Sequence, residues 1–194
     1  MKNGVFLARF QPLHVAHMWL IEQALKENDT VLVILGSANK NGMVRNPFPL
    51  ETRKYWLKES LKNKKDFDRI KIIELPDWSK EDDKENAKEW GTYLYMNIVS
   101  QICSKTFSIY YSDDISIIRN WFEDKYLEKI NIRNFERNNL FDGLSATKLR
   151  QAFIDNNKDY IKKYCPDVIL QEFDTIKKII EDVNKNPKED FIMR

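Results

Sequence analysis

The stretch Gly4-Val-Phe-Leu-Ala-Arg-Phe-Gln-Pro-Leu-His-Val-Ala-His17 decides how this chain is read. Residues 4–8 are an apolar run of strand type. The run breaks at Gln11-Pro12, and a helical spacing of apolar residues begins just beyond, at Met18, Leu20, Ile21, Ala24 and Leu25. A strand that turns tightly into a helix N-terminus suits phosphate: the first backbone N–H groups have no partner within the helix, and the helix dipole favours negative charge there. Arg9, His14 and His17 add side-chain donors at the same spot, and both of the chain's histidines are here.

Outward from this stretch the pattern repeats. A helix is expected over 15–27, followed by the continuous β-branched run Thr30-Val-Leu-Val-Ile-Leu35, the mark of a strand buried on both faces. Together they make a βαβ unit. A polar loop over 36–49 comes next, then a helix over 50–61 with Pro49 at its start, and a strand over 71–75. A charged loop over 77–86 leads to a helix over 87–102, a strand over 106–111 and the exit loop Ser112-Asp-Asp114. The spacing then predicts a helix over 115–125, a short strand over 129–133, a loop over 138–143 and a helix over 144–154 with Ser145 as N-cap. Helical periodicity continues over 159–183, and the last ten residues are polar and expected to fray. About five alternations of strand and helix predict an α/β fold: a Rossmann-like open parallel sheet of about five strands with helices on both faces, plus C-terminal helices. Residues 1–155 are read as the main domain and 156–194 as a helical extension of it.

Composition narrows the class. In 194 residues, 42% are apolar, enough for a core, and the charged 32% are mixed in sign with a net of +2, which gives no footprint for duplex nucleic acid. Cys103 and Cys165 lie far apart without metal or redox spacing and are read as reduced, packed thiols. The start lacks the apolar region of a signal peptide, and no stretch approaches the roughly 20 apolar residues of a membrane span, so a cytoplasmic protein without a membrane partner is expected. A His-x-x-His pair could be half a zinc site, but there is no third histidine and no cysteine nearby, and no dedicated metal site is expected.

Two motifs carry a resemblance. Arg9-Phe-Gln-Pro-Leu-His-Val-Ala-His17 is similar to the first signature of the nucleotidylyltransferase superfamily, His-x-Gly-His, and Leu144-Ser-Ala-Thr-Lys-Leu-Arg150 to its second, Ile-Ser-x-Thr-x-Ile-Arg. Within the superfamily the first run most resembles the archaeal-type nicotinamide mononucleotide adenylyltransferases, which include N-terminal domains fused to a Nudix hydrolase. Gly36-Ser-Ala38, Arg45-Asn-Pro-Phe48, the pair Glu51 and Arg53, and Asn86-Ala-Lys-Glu-Trp90 fit the same subgroup. The resemblance covers about residues 4–155. There are departures. Ala8 and Ala16 stand where the family commonly has glycine, a change that matters if either site needs φ > 0. Ser112-Asp-Asp114 lacks the family's pattern, and no Nudix acidic box follows.

What the resemblance implies is adenylyl transfer from ATP to nicotinamide mononucleotide, giving NAD and pyrophosphate by direct in-line attack. It implies His14, His17 and Arg150 as catalytic residues, and Arg9, Phe10, Gln11, Ser145, Thr147 and Lys148 beside them around ATP. Ser37, Asn39, Arg45, Asn46, Asp77, Trp78 and Trp90 fall to the mononucleotide, with Arg45 on its phosphate and Trp90 or Trp78 stacked on the cationic pyridinium ring. Mg²⁺ would arrive through the ATP phosphates and keep most of its waters. The partners are then ATP and the mononucleotide, with a homo-oligomer left open. Two other readings remain: adenylyl or cytidylyl transfer to another phosphate acceptor such as phosphopantetheine or FMN, and a nucleotide-binding sensor without catalysis.

Overall fold

A computed structural model of the chain describes residues 1–78, 86–112, 114–135 and 140–190. Most of the charged loop expected over 77–86, the middle residue of Ser112-Asp-Asp114, the start of the loop over 138–143 and the last four residues lie outside the described residues.

The strands β1 (Asn3–Ala8), β2 (Thr30–Leu35), β3 (Ile70–Glu74), β4 (Phe107–Tyr111) and β5 (Ile130–Asn134) form one parallel sheet in the order β3-β2-β1-β4-β5. The helices are α1 (Val15–Glu27), α2 (Leu50–Leu61), α3 (Ala87–Ile102), α4 (Ile115–Trp121), the short α5 (Asp124–Leu127), α6 (Ala146–Ile154), α7 (Lys158–Tyr164), α8 (Asp167–Gln171) and α9 (Phe173–Lys185). β2 shows why the sheet is covered twice. Its side chains alternate, and both sets are apolar: Val31, Val33 and Leu35 join a core with α1, α2 and α6 to α9, while Leu32 and Ile34 join a second core with α3 and α4. Phe6 and Val5 divide in the same way on β1.

The chain moves outward from β1 through β2 to β3, then crosses to β4 on the far side of β1. Such a reversal opens a crevice outside the carboxyl ends of the strands on either side of it, here β1 and β4. Register places Ala8 beside Leu35, and the Gly36 N–H donates to the Ala8 carbonyl at 2.9 Å, so the exits of β1 and β2 leave side by side.

Four expectations need correcting. The helix expected over 115–125 ends at Trp121 and resumes as α5. The periodicity over 159–183 is carried by three helices: Pro166, with no N–H to continue a ladder, caps α8, and Glu172 breaks the next junction and accepts from the Trp56 indole at 2.9 Å. Residues 186–190 do not fray: the Lys188 N–H donates to the Gly42 carbonyl at 2.9 Å, and Asp190 pairs with Lys40 at 2.8 Å. Cys165 is buried and its thiol is pushed up to about 12 by burial, whereas Cys103 is exposed at the left-handed C-cap of α3, not packed. Among the described residues no helix is long and apolar enough to cross a membrane.

Candidate active site

The exits of β1, β2 and β4 and the N-termini of α1 and α6 surround a cleft of about 580 Å³. Twelve of the sixteen residues singled out from the sequence line it: Arg9, Phe10, Gln11, His14, His17, Ser37, Arg45, Asp77, Trp90, Ser145, Thr147 and Arg150. Asn39, Asn46, Trp78 and Lys148 do not. A wider basin of about 830 Å³ lies at the opposite, amino-terminal edge of the sheet and shares none of these residues.

α1 begins in the cleft. His14 is its N-cap, in extended conformation, and is almost wholly buried. The His14 N–H donates to Nδ1 of His17 at 3.3 Å, which fixes the neutral His17 ring with its proton on Nε2. The two imidazoles stack with centroids 3.6 Å apart and planes 15° apart, and Phe10 closes on His17 at 4.8 Å. Phe10 reaches that place with φ 53°, a left-handed conformation costly for an aromatic residue. Ala8 ends a strand and Ala16 lies inside the first turn of α1; neither is among the positive-φ residues, so alanine is unstrained at both.

α6 brings the second signature to the same place. Ser145 caps it, its Oγ accepting the Lys148 N–H at 3.2 Å. Arg150, one turn in, is 9% exposed and donates through Nη1 to the Gln11 carbonyl at 2.7 Å and through Nη2 to Thr147 Oγ1 at 3.2 Å. That bond ties the two signatures together across 139 positions of sequence. Lys148 is exposed and contributes its backbone to the cap.

Several residues brace the cleft. The Gln11 side-chain amide pairs both ways with the Phe48 backbone, at 3.1 and 3.0 Å, and so holds the far end of the loop over 36–49. Asn39 does the same for Asp77, at 2.7 and 2.9 Å, and Ser37 donates to the Asp77 carboxylate at 2.6 Å. Asn46 is buried in a tight turn with Met43, and Arg45 stands exposed within that turn. Trp78 stacks on Tyr93, with centroids 5.3 Å apart.

Three residues carry more than the sequence disclosed. Arg53 is fully buried on α2 and donates to the carbonyls of Arg9, Gly36 and Ser37 at 2.9, 2.9 and 3.0 Å, pinning the exits of β1 and β2 to each other. Burial lowers its pKa to about 10, so it stays charged at neutral pH. The signal was an arginine on the helix face that also carries Trp56 and Leu57. Trp121 lines the cleft and meets Trp90 edge to face at 4.8 Å, and Tyr111 lies 6.2 Å from Trp121. Neither belongs to either signature motif, so nothing in the sequence set them apart.

Chemically, the cleft is lined by two helix N-termini, two imidazoles, three arginines and the hydroxyls of Ser145 and Thr147, together with the aromatic pair Trp90 and Trp121. Among the described residues no three His, Cys, Asp or Glu side chains gather into a cage for a metal ion. The donor set fits an anion chain such as a polyphosphate beside a flat ring.

The pattern of the cytidylyltransferase-like family matches residues 5–191. A nicotinamide-nucleotide adenylyltransferase of Caldivirga maquilingensis is 38% identical over 95 residues, 48% of this chain and 50% of that protein, so the match spans about half the relative's length. The protein of the same name from Thermococcus kodakarensis is 30% identical over 79% of this chain and 73% of its own length, and that of Thermococcus sibiricus is 28% identical over 96% and 94%. Among solved structures, a bifunctional NMN adenylyltransferase/ADP ribose pyrophosphatase from Francisella tularensis superposes with a TM-score of 0.63 at 24% identity, over 79% of this chain and 42% of that one, a likeness of fold. With a doubly covered parallel sheet, a cleft at its switch point and a family match over nearly the whole length, the chain belongs to the cytidylyltransferase-like family.

Proposed function

We propose that this protein transfers the adenylyl group of ATP to nicotinamide mononucleotide, giving NAD and pyrophosphate. The observation that carries the proposal is the convergence of both signature helices on one cleft, tied by the bond from Arg150 to the Gln11 carbonyl. The names of the archaeal relatives support the choice of acceptor. So does the aromatic corner at Trp90, whose ring suits a cationic pyridinium.

In the reaction an oxygen of the mononucleotide's 5′-phosphate attacks the α-phosphorus of ATP. The bond from that phosphorus to the bridging oxygen of the β-phosphate breaks, and pyrophosphate leaves with the electron pair. The residues act by holding the groups in line and by neutralising charge on the phosphate oxygens. His17 donates from Nε2, and His14 lies stacked beneath it. Arg9, Arg150 and the α6 N-terminus with Ser145 and Thr147 hold the leaving phosphates. Phe10 seats His17, and Gln11 serves through its carbonyl and its hold on Phe48. Arg45 takes the mononucleotide phosphate, Trp90 its ring, and Ser37, Asn39, Asn46 and Asp77 shape that wall. Trp78 and Lys148 lie off the cleft lining, Trp78 stacked on Tyr93 and Lys148 lending its backbone N–H to the Ser145 cap. Magnesium would enter as part of the MgATP substrate and would supply positive charge to the phosphates, with Arg9, Arg150 and the α6 N-terminus holding the same groups. The solved relative from Francisella tularensis is complexed with AMP and manganese, which supports a divalent cation here.

The test is pyrophosphate release from MgATP with nicotinamide mononucleotide, run beside nicotinic acid mononucleotide, FMN and phosphopantetheine. Release with a pyridine mononucleotide and a dinucleotide product is expected. Release only with another acceptor overturns the substrate, and ATP binding without release for any acceptor overturns the catalytic reading.

A further inference from the structure

The loop over 36–49 carries Arg45 and is tied at its two ends within the cleft: Asn39 to Asp77 near the start, and Phe48 to Gln11 at the finish. Its middle is held by a distant part of the chain. The Lys40 side chain is completely buried, and burying an ammonium is costly unless it meets an anion. Asp190 meets it at 2.8 Å, 150 positions away. Beside that pair the Lys188 N–H donates to the Gly42 carbonyl at 2.9 Å, and Lys188 Nζ donates to Asn41 Oδ1 at 3.1 Å. Gly42 has φ +72°, and a Cβ there would come within 3.0 Å of the Lys188 side chain, so this contact uses a glycine for both conformation and space.

We propose that residues 186–190 are a latch on the mononucleotide side of the cleft, with Asp190 as a positioning residue that acts through Lys40 on the turn presenting Arg45. The inference rests on the reading of Arg45 as the group that takes the mononucleotide's phosphate. The latch segment follows α9, which packs on α6, the helix that begins with Ser145 and carries Arg150. The element that shapes the acceptor's loop therefore grows out of the layer that holds the ATP end. A loop held by its own turn and its two ends opens locally at smaller cost than one also held from outside, and a binding-competent loop present only a fraction of the time raises the apparent dissociation constant by the inverse of that fraction.

The experiment compares wild type with Asp190→Asn, Lys40→Met and Lys188→Ala in two measurements. The first is amide hydrogen exchange over residues 40–46 in the ligand-free protein. Faster exchange is expected in Asp190→Asn, and a smaller change in Lys188→Ala, which keeps its backbone bond to Gly42. The second is steady-state kinetics. Asp190→Asn should raise KM for nicotinamide mononucleotide about tenfold, with KM for ATP and kcat within about twofold of wild type. Lys40→Met, which removes the buried ammonium and keeps most of the side chain's apolar volume, tests the same link if Asp190→Asn folds poorly. Unchanged exchange over 40–46 in both Asp190→Asn and Lys40→Met overturns the latch, as does an equal rise in both KM values. A wild-type protein inactive with every pyridine mononucleotide overturns the reading of Arg45 instead, and the exchange comparison still decides the latch.

Discussion

His17 shows how much a single side chain depends on its neighbours. Its Nδ1 is taken by the His14 N–H, so the proton sits on the other ring nitrogen of a residue that lines the cleft. His17→Ala removes that donor and its ring contacts with Phe6 and Phe10, and leaves the rest of the core packed. We expect kcat to fall about 10²- to 10³-fold with the circular dichroism spectrum and melting temperature preserved; wild-type turnover would remove the residue from the mechanism. The histidines, Ser145, Thr147 and Arg150 were legible in the sequence because short motifs name them. Arg53 was legible only as half of a Glu-Arg pair, without its role, and Lys40 and Trp121 not at all, because their value lies in partners remote in sequence: three carbonyls, Asp190, and Trp90. Tyr110 is another such residue. It is fully buried, and burial together with the Glu27 carboxylate it donates to at 2.6 Å pushes its phenol up to about 12. An unfolded tyrosine ionises near pH 10. Between about pH 10 and 12 the folded state therefore keeps a proton that the unfolded chain releases. The Tyr110 contribution to stability is complete below pH 10 and is lost as pH rises through 12. Tyr110→Phe should flatten the decline in that window, read as urea midpoints at pH 9, 10.5 and 11.5; parallel curves would contradict it.

At the scale of elements, periodicity located α1, β2, α2 and α3 with the bounds the structure gives them, because each has a clear apolar pattern and a clear stop. It misjudged the region after 155 because one apolar rhythm runs through three helices, and only Pro166 marks a break within it. It also gave no sign of how α3 meets α4. A Cβ on Gly91 would fall 1.7 Å from the Trp121 carbonyl oxygen, so the first turns of α3 lie directly against the end of α4. Lys88 reinforces the junction by donating to the carbonyls of Arg119 and Phe122. Trp90, next to Gly91, owes its place in the cleft to this contact. Gly91→Ala should therefore destabilise the protein by about 1–3 kcal/mol through forced separation of backbones. It should also weaken binding of the mononucleotide more than that of ATP, because the displaced residue is Trp90. Chemical denaturation and the two KM values check this together; a fully stable variant with unchanged kinetics would mean the helices can part without consequence.

For the whole molecule, alternation of strands and helices predicted a parallel sheet but not the order β3-β2-β1-β4-β5, since nothing in a strand's own residues says which neighbour it takes. The switch between β1 and β4 then decides where the site lies, and the C-terminal helices decide how it is held. α6 brings Thr147 and Arg150, with its cap Ser145, to the cleft, and α9 packs against α6 while sharing the core beneath β1 and β2. We propose on this basis that residues 156–190 unfold with the main domain and not as a separate unit. Ile180 on α9 is 2% exposed within that core, which also contains Trp56, whereas Trp90 and Trp121 pack on the core of the opposite face. Ile180→Ala leaves a cavity that should cost about 3 kcal/mol. If the sheet couples its two faces, the loss shifts one transition, and far-ultraviolet circular dichroism and tryptophan fluorescence in urea move together. If the helices formed a separate unit, the substitution would split the curve, with an early loss of helix signal while Trp90 and Trp121 kept their native emission.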